Sequence, residues 1–359
     1  MPSTTMSSPR TEGVSVLVPV RNGARWLPRV LQALVAQGTD HQIEVVVVED
    51  GSRDESREIL ARASAADPRV RVVQGPRRGA AAALNAGLRQ ARYPLIAQVD
   101  QDVIPESGWL SALIPHVRND EAVGAVQGYY MTDPAAALSV RVMSLDLEQR
   151  YEQIDGTDTS HVCTGNTLYR ASALAAIGGF DESLGYGYDN DVSYRLQEAG
   201  FRLVICREAR SRHEWREGLW AYLRQQYGFG YGRIDLVARH RRRFTGDSVS
   251  PTTMMVHPVV LAAAFVAAGV GTMTGHAREG VTLACVLTGA LILERAVAGV
   301  RAAARFKDAA ALTFPFFHLA RDAAWVTAMA VWTIRRLIGR PPRPHHSMRP
   351  RPERAAPTL

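Results

Sequence analysis

Up to about Gly246 the sequence alternates short apolar runs with helix-patterned segments, and the links between them are brief. That alternation restricts the fold more than any other feature. Parallel strands cannot be joined by a tight hairpin. Strand–helix–strand order with short links therefore calls for a parallel sheet covered by helices on both faces, with right-handed crossovers. Val14 to Val20, Ile43 to Val48, Val70 to Val73 and Leu95 to Val99 read as four such strands. Within Ile43 to Val48, Val45 to Val48 is continuously apolar, as a strand buried on both faces should be. Ala24 to Gln37 places Trp26, Leu27, Val30, Leu31, Leu34 and Val35 on one helical stripe, and Pro28 is tolerable in the first turn. Helices are also predicted from Ser52 or Asp54 to about Ala65 and over Gly79 to Ala91. Farther on, the pattern predicts helices over Ser107 to Val117, Ala135 to Gln153, Ala171 to Ile177 and Val192 to Ala199. Strands are predicted over Val123 to Gly128, His161 to Tyr169 and Arg202 to Cys206.

Beyond Pro251 the chain becomes rich in Ala, Val and Leu. Met254 to Thr274 is nearly free of charge and long enough to span a bilayer. Val281 to Val300 is a second such segment, with Glu294-Arg295 near one end, where the pair can reach the interface. Arg241 to Arg243 before the first span, and Arg301, Arg305 and Lys307 after the second, mark the cytoplasmic side. Ala309 to Ile334 is interrupted by His318, Arg321 and Asp322. It reads as a third span or as a re-entrant or interfacial segment; the second reading keeps central charges out of lipid and the Arg-rich tail inside. The net charge is +7. Because the arginine clusters flank apolar runs, they point to a membrane surface rather than to nucleic acid. Met1 to Thr11 has no apolar signal-peptide core, so the catalytic part is expected on the cytoplasmic side of the cell membrane. Three scattered cysteines offer neither metal-ligand spacing nor a disulfide framework. The expected layout is a disordered N-terminus (1–12), a catalytic domain (13–233), a basic juxtamembrane segment (234–252), a multi-pass membrane region of two or three helices (253–338) and a disordered tail (339–359).

Asp100-Gln101-Asp102 directly follows the run Leu95 to Val99. In open α/β sheets ligands bind at the carboxyl ends of the strands. Two carboxylates one residue apart suit a hard cation, Mg²⁺ or Mn²⁺, which completes its shell with water and substrate phosphates. Gly-x-Gly-x-x-Gly and Gly-x-x-x-x-Gly-Lys-Ser/Thr are both absent, so the sheet lacks the commonest phosphate loops.

Five pieces, in order and spacing, resemble glycosyltransferase family 2 with its GT-A fold. They are Val16 to Asn22 (VLVPVRN), Val47 to Asp54 (VVEDGSRD), Gly79 to Gly87 (GAAAALNAG), Gln98 to Pro105 (QVDQDVIP) and Cys163 to Gly200. Gln225 to Arg233 lacks the Gln-x-x-Arg-Trp pattern of processive members and looks closer to succinoglycan-type exopolysaccharide transferases; it also reads as an amphipathic juxtamembrane helix. The resemblance implies a mostly parallel, nucleotide-binding sheet flanked by helices. It implies that Pro19 and Arg21 line the nucleotide pocket, and that Asp50 accepts hydrogen bonds from the base or ribose. Arg78 and Asn85 flank a helix start that backbone N–H groups open to a ligand. Asp102 touches the cation, Asp100 acts on the ribose or through water, and His213 approaches the metal or diphosphate. Asp189 is the general base that takes the acceptor's proton. Tyr188 stands where the family usually has Glu, which leaves Asp191 as a rival. Trp215 either stacks on an acceptor ring or packs. The implied protein is a membrane-anchored, inverting transferase. It moves a sugar from a nucleotide-diphosphate sugar to a lipid-linked or glycan acceptor in cell-surface glycan synthesis. A polyprenyl-phosphate glycosyltransferase and a non-catalytic sugar-nucleotide-binding scaffold are the alternatives.

Overall fold

In the computed structural model, which describes residues 13–215 and 217–340, the apolar runs become one mixed sheet. The segment 1–12 and the tail beyond 340, both expected to be disordered, lie outside the described residues. In chain order the elements of the first part are β1 (Gly13–Val20), α1 (Leu27–Val35), β2 (Gln42–Glu49), α2 (Ser56–Ala66), β3 (Val70–Gln74), α3 (Ala80–Gln90), β4 (Leu95–Val99), β5 (Val103–Pro105) and α4 (Trp109–Arg118). They continue with β6 (Val123–Met131), α5 (Leu138–Glu152), β7 (Asp158–Thr159), β8 (Asn166–Arg170), α6 (Ala171–Ala176), α7 (Tyr188–Glu198) and β9 (Arg202–His213). Four long helices follow: α8 (Leu219–Arg239), α9 (Thr252–Met273), α10 (Ala277–Phe306) and α11 (Phe314–Leu337).

The strand order is β3-β2-β1-β4-β8-β6-β9-β5, with β7 on β9. The first four strands are mutually parallel, as the strand–helix alternation predicts. β8 runs antiparallel to both β4 and β6, and β6 is parallel to β9. This reversal matters for function. It sets Asn166, the first residue of β8, opposite Val99, the last of β4. The turn before β8 therefore lies at the same edge as the carboxyl ends of β1, β2 and β4. The predicted strand from His161 shortens to Asn166–Arg170 because residues 164–165 form that turn, closed by the Asn166 N–H on the Cys163 carbonyl at 3.2 Å.

Period-two burial divides the core into two layers. Val14, Val16, Val18 and Val20 pack with Leu27, Val30 and Leu34 of α1 and with Trp109, Leu110 and Leu113 of α4. Leu17, Val46 and Ile96 face the other way, onto Leu84 of α3, Leu174 of α6 and Val192 of α7.

α8 runs unbroken through the expected domain boundary at residue 233 and lies against α11. Its glycines permit this. A Cβ on Gly228 would meet the Tyr186 ring at 2.5 Å, and one on Gly230 would come within 2.9 Å of the Trp325 backbone. The Gly/aromatic segment is thus a helix packed on both sides. Gly230→Ala should destabilise the protein by about 1–3 kcal/mol through overpacking, read as a lowered melting temperature; an unchanged melting temperature would show that the two helices separate freely.

α9 and α10 are long and apolar enough to cross a membrane, by length and composition. Val259, Phe265, Val266 and Met273 of α9, and Val286 and Leu293 of α10, face outward. α11 differs. His318, Arg321 and Asp322 are buried; the first two turn toward α5, with His318 Nε2 3.4 Å and Arg321 Nη1 3.9 Å from the Asp146 carboxylate, and Asp322 lies 3.9 Å from His257 Nδ1 of α9. The charges that interrupt this segment in the sequence meet protein partners.

Candidate active site

Asp100 and Asp102 leave the end of β4, and β5 pairs with the end of β9, Val103 opposite His213. The Glu214 N–H donates to the Asp102 carbonyl at 2.8 Å. Two chain segments far apart in sequence thus converge, and ligand atoms of Asp100, Asp102 and His213 lie within 4.8 Å of one another. The His213 ring stacks on Trp215 at 3.7 Å, and the Trp215 indole N–H donates to Ser144 at 3.1 Å. One face of Trp215 is therefore used to hold His213. Gly165 closes the other side: a Cβ there would sit 2.5 Å from Asp100 Oδ2.

Burial, then the charge of Asp102, pushes the Asp100 carboxyl up to about 7. Burial lowers His213 to about 4, so its imidazole is neutral at physiological pH and keeps a lone pair. Its Nδ1 is buried and has no hydrogen-bond partner among the described residues. Crowded carboxylates facing a neutral imidazole, whose Nε2 lies 3.9 Å from Asp102 Oδ1, are what a divalent cation satisfies. The donor set therefore fits the Mg²⁺ or Mn²⁺ expected from sequence.

Gln101, between the two carboxylates, ties this site to the end of β1. Its Oε1 accepts from the Arg21 N–H at 2.8 Å and its Nε2 donates to the Arg21 carbonyl at 3.3 Å. The exposed Arg21 and half-buried Pro19 thus sit next to the acidic pair. Asp50, at the end of β2, is buried. It accepts from the N–H groups of Arg77 at 2.5 Å and Gly79 at 3.0 Å, so one task it performs is shaping the 75–79 loop. Burial raises its pKa against those two bonds and the charge of Arg21. Arg78 and Asn85 are spent on another loop. Arg78 pairs with Glu182 at 2.8 Å. Asn85 donates to Glu182 Oε1 at 3.1 Å and to the Phe180 carbonyl at 2.8 Å, and accepts from the Phe180 N–H at 2.9 Å. Both side chains reach the glycine-rich loop that leads to Asp189, and that of Arg78 is largely exposed.

Asp189 lies in the first turn of α7, and its charge reaches Asp100. The carboxylate of the rival Asp191 is bound into the fold: it is 3% exposed, with Arg195 Nε at 2.7 Å and His240 Nε2 at 2.9 Å. Two residues apart on a helix, the side chains face different ways, and Asp191 belongs to the packing of α7 on α8. Tyr188 packs edge-on against Phe180. Burial, then the charges of Asp100 and Asp189, raises its phenol well above the usual range. The family's usual carboxylate is thus replaced here by a neutral hydroxyl.

Behind Asp189 stands a set of residues that the sequence did not single out. Asn190 Nδ2 donates to Asp247 Oδ2 at 2.9 Å and faces His161 Nδ1 at 3.0 Å. A carboxylate only accepts, so Asp247 fixes which way the amide points. Burial alone would lower the His161 pKa; Cys163, Asp247 and Asp189 outweigh it and raise it to about 9, which favours an N–H at Nε2. That nitrogen lies 3.5 Å from Cys163 Sγ and 3.9 Å from Asp189 Oδ2. No motif marks these residues; their only sequence signal is a buried-type His in the turn before β8.

Comparison with known proteins agrees with this architecture. The family model described as glycosyl transferase family 2 matches residues 15–178. The pre-mycofactocin glycosyltransferase of Mycobacterium tuberculosis (strain CDC 1551 / Oshkosh) is 31% identical over 294 residues, 79% of this chain and 58% of that protein. This chain therefore spans just under three-fifths of that relative's length. The succinoglycan biosynthesis protein ExoA of Rhizobium meliloti is 27% identical over 235 residues, covering 63% of this chain and 70% of that one. A mannosyltransferase of Pyrobaculum calidifontis, solved in complex with GDP-Man and Mn²⁺, superposes with a TM-score of 0.59 at 20% identity, over 92% of this chain and 90% of its own. That likeness is one of fold.

Proposed function

The chain belongs to glycosyltransferase family 2 through its residues 15–178, and on that premise we propose that it is a membrane-anchored, inverting transferase. Its donor is a nucleotide-diphosphate sugar bound over the carboxyl edge of β1, β2 and β4. Its acceptor is a hydroxyl of a lipid-linked or glycan molecule in cell-surface glycan synthesis. The observation that carries this reading is the convergence of Asp100, Asp102 and His213 at that edge, within the field of Asp189.

Mg²⁺ or Mn²⁺ held by Asp102 and His213, with Asp100 beside them, would offset the negative charge that grows on the departing diphosphate. The chain's own groups do the rest. Pro19, Arg21 and the Asp50-shaped loop border the nucleotide. Asp189 takes the proton from the acceptor hydroxyl, whose oxygen attacks the anomeric carbon from the face opposite the leaving group. The configuration there inverts in one displacement. His161 stands behind the Asp189 carboxylate, its Nε2 3.9 Å from Oδ2. Two apolar helices hold the site at the cytoplasmic face of the cell membrane, where a lipid-linked acceptor is delivered.

The test is thermal stabilisation of the purified full chain by UDP, GDP and dTDP. One of them should raise the melting temperature with Mn²⁺ present, by about 2.7 kcal/mol of added stability at a hundredfold excess over Kd. EDTA should abolish the effect. Equal stabilisation with and without metal, or none from any nucleotide, would sink the metal-diphosphate reading.

A further inference from the structure

A cavity of about 370 Å³ lies where α5 meets the apolar helices, away from the acidic pair. Arg150, Arg295, Arg301 and Arg321 line it, against the carboxylates of Asp146 and Glu294. Even with the Asp322 carboxylate that Arg321 binds, four guanidinium groups against three carboxylates leave a net positive pocket. Arg321 is 3% exposed. Its Nε binds Asp322 at 3.1 Å and its Nη1 lies 3.9 Å from Asp146. Its Nη2 is buried with no hydrogen-bond partner among the described residues. A buried N–H group left unpaired is costly, and an anionic oxygen in the pocket would satisfy it. Guanidinium forks match phosphate oxygens in particular.

The pocket's height narrows the source of that phosphate. Its wall includes Thr253 and Met254, in the first turn of α9, and Glu294 and Arg295. The latter two lie about 25 Å along α10 from its start at Ala277. If these helices span a bilayer, whose apolar core is about 30 Å thick, the pocket sits at the headgroup level. Val297 also lines it and is 43% exposed. With Leu293 and Val300 it continues the outward apolar face of α10, along which an acyl chain can lie.

We propose that this pocket docks the phosphate of an anionic membrane lipid, its chains running down α10. The proposal rests on the membrane-spanning part of the functional reading and not on sugar transfer. Full-length protein in neutral detergent is melted with added phosphatidylglycerol, phosphatidylcholine or inorganic phosphate, and retained lipid is counted by native mass spectrometry. Phosphatidylglycerol alone should raise the melting temperature. Arg295→Gln and Arg301→Gln should each weaken its retention about fivefold, the effect of one basic residue near a charged lipid surface. Arg301 is exposed, so its replacement keeps the test readable if Arg295→Gln fails to fold. Equal retention by the wild type and by Arg301→Gln overturns the proposal. So does matching stabilisation by inorganic phosphate, which would make the pocket a site for a free anion. Nucleotide-dependent melting with Mn²⁺, run on the same samples, separates the two readings. If it persists while lipid preference is absent, only the lipid pocket fails. If it vanishes while lipid preference stands, only the transferase assignment fails.

Discussion

Asp102→Ala should abolish metal-dependent nucleotide binding and lower sugar transfer about a thousandfold, while leaving the protein folded. Asp102 shares its charge with Asp100, and burial plus that charge already pushes Asp100 up to about 7. Removing Asp102 relieves the repulsion, so the metal-free variant should melt at or above the wild-type temperature. What disappears is half of the carboxylate pair that faces His213. A bound cation supplies several kcal/mol of charge stabilisation in phosphate chemistry, and each 1.36 kcal/mol is a factor of ten in rate. Calorimetric melts with Mn²⁺ and nucleoside diphosphate, beside a transfer assay, separate the two effects. A variant that keeps both stabilisation and rate would remove Asp102 from the metal site.

Asp189→Asn should lower kcat about a hundred- to ten-thousandfold, the usual worth of a general base, with little change in donor KM. The substitution preserves shape, and its amide oxygen can still accept from the Asn190 N–H, as Asp189 Oδ1 does at 2.9 Å. Nucleotide-dependent melting should match the wild type. The contrast with Asp102→Ala is the point: one variant binds donor and does not turn it over, the other does not bind it. An Asp189→Asn enzyme with full rate would mean that the nucleophile is already ionised, as a polyprenyl phosphate is.

The strands could be read because β1, β2 and β4 are mostly apolar, and the acidic pair because it follows one of them. Strands of two or three residues, such as β5 and β7, carry too little pattern to show. Yet β5 is what brings Val103 beside His213. Arg78 precedes the small-residue helix and Asn85 lies within it, but sequence cannot show that Glu182 and Phe180 engage their side chains. Asp191 stood as a rival to Asp189 because spacing says nothing of what fills the space; Arg195 and His240 engage its carboxylate. The interruptions in α11 looked costly because their partner, Asp146, lies far back in the chain.

Those partnerships bear on how the molecule can be divided. A shortened version ending at Gly246 would be soluble in intent only. It would take His318 and Arg321 away from Asp146, the Val249 carbonyl away from Arg150, and Asp247 away from Asn190. The last of these holds the Asn190 amide that faces His161 behind Asp189. The anchor is therefore also a fastener, and enzymology done without it would describe a catalyst missing part of the packing behind its base.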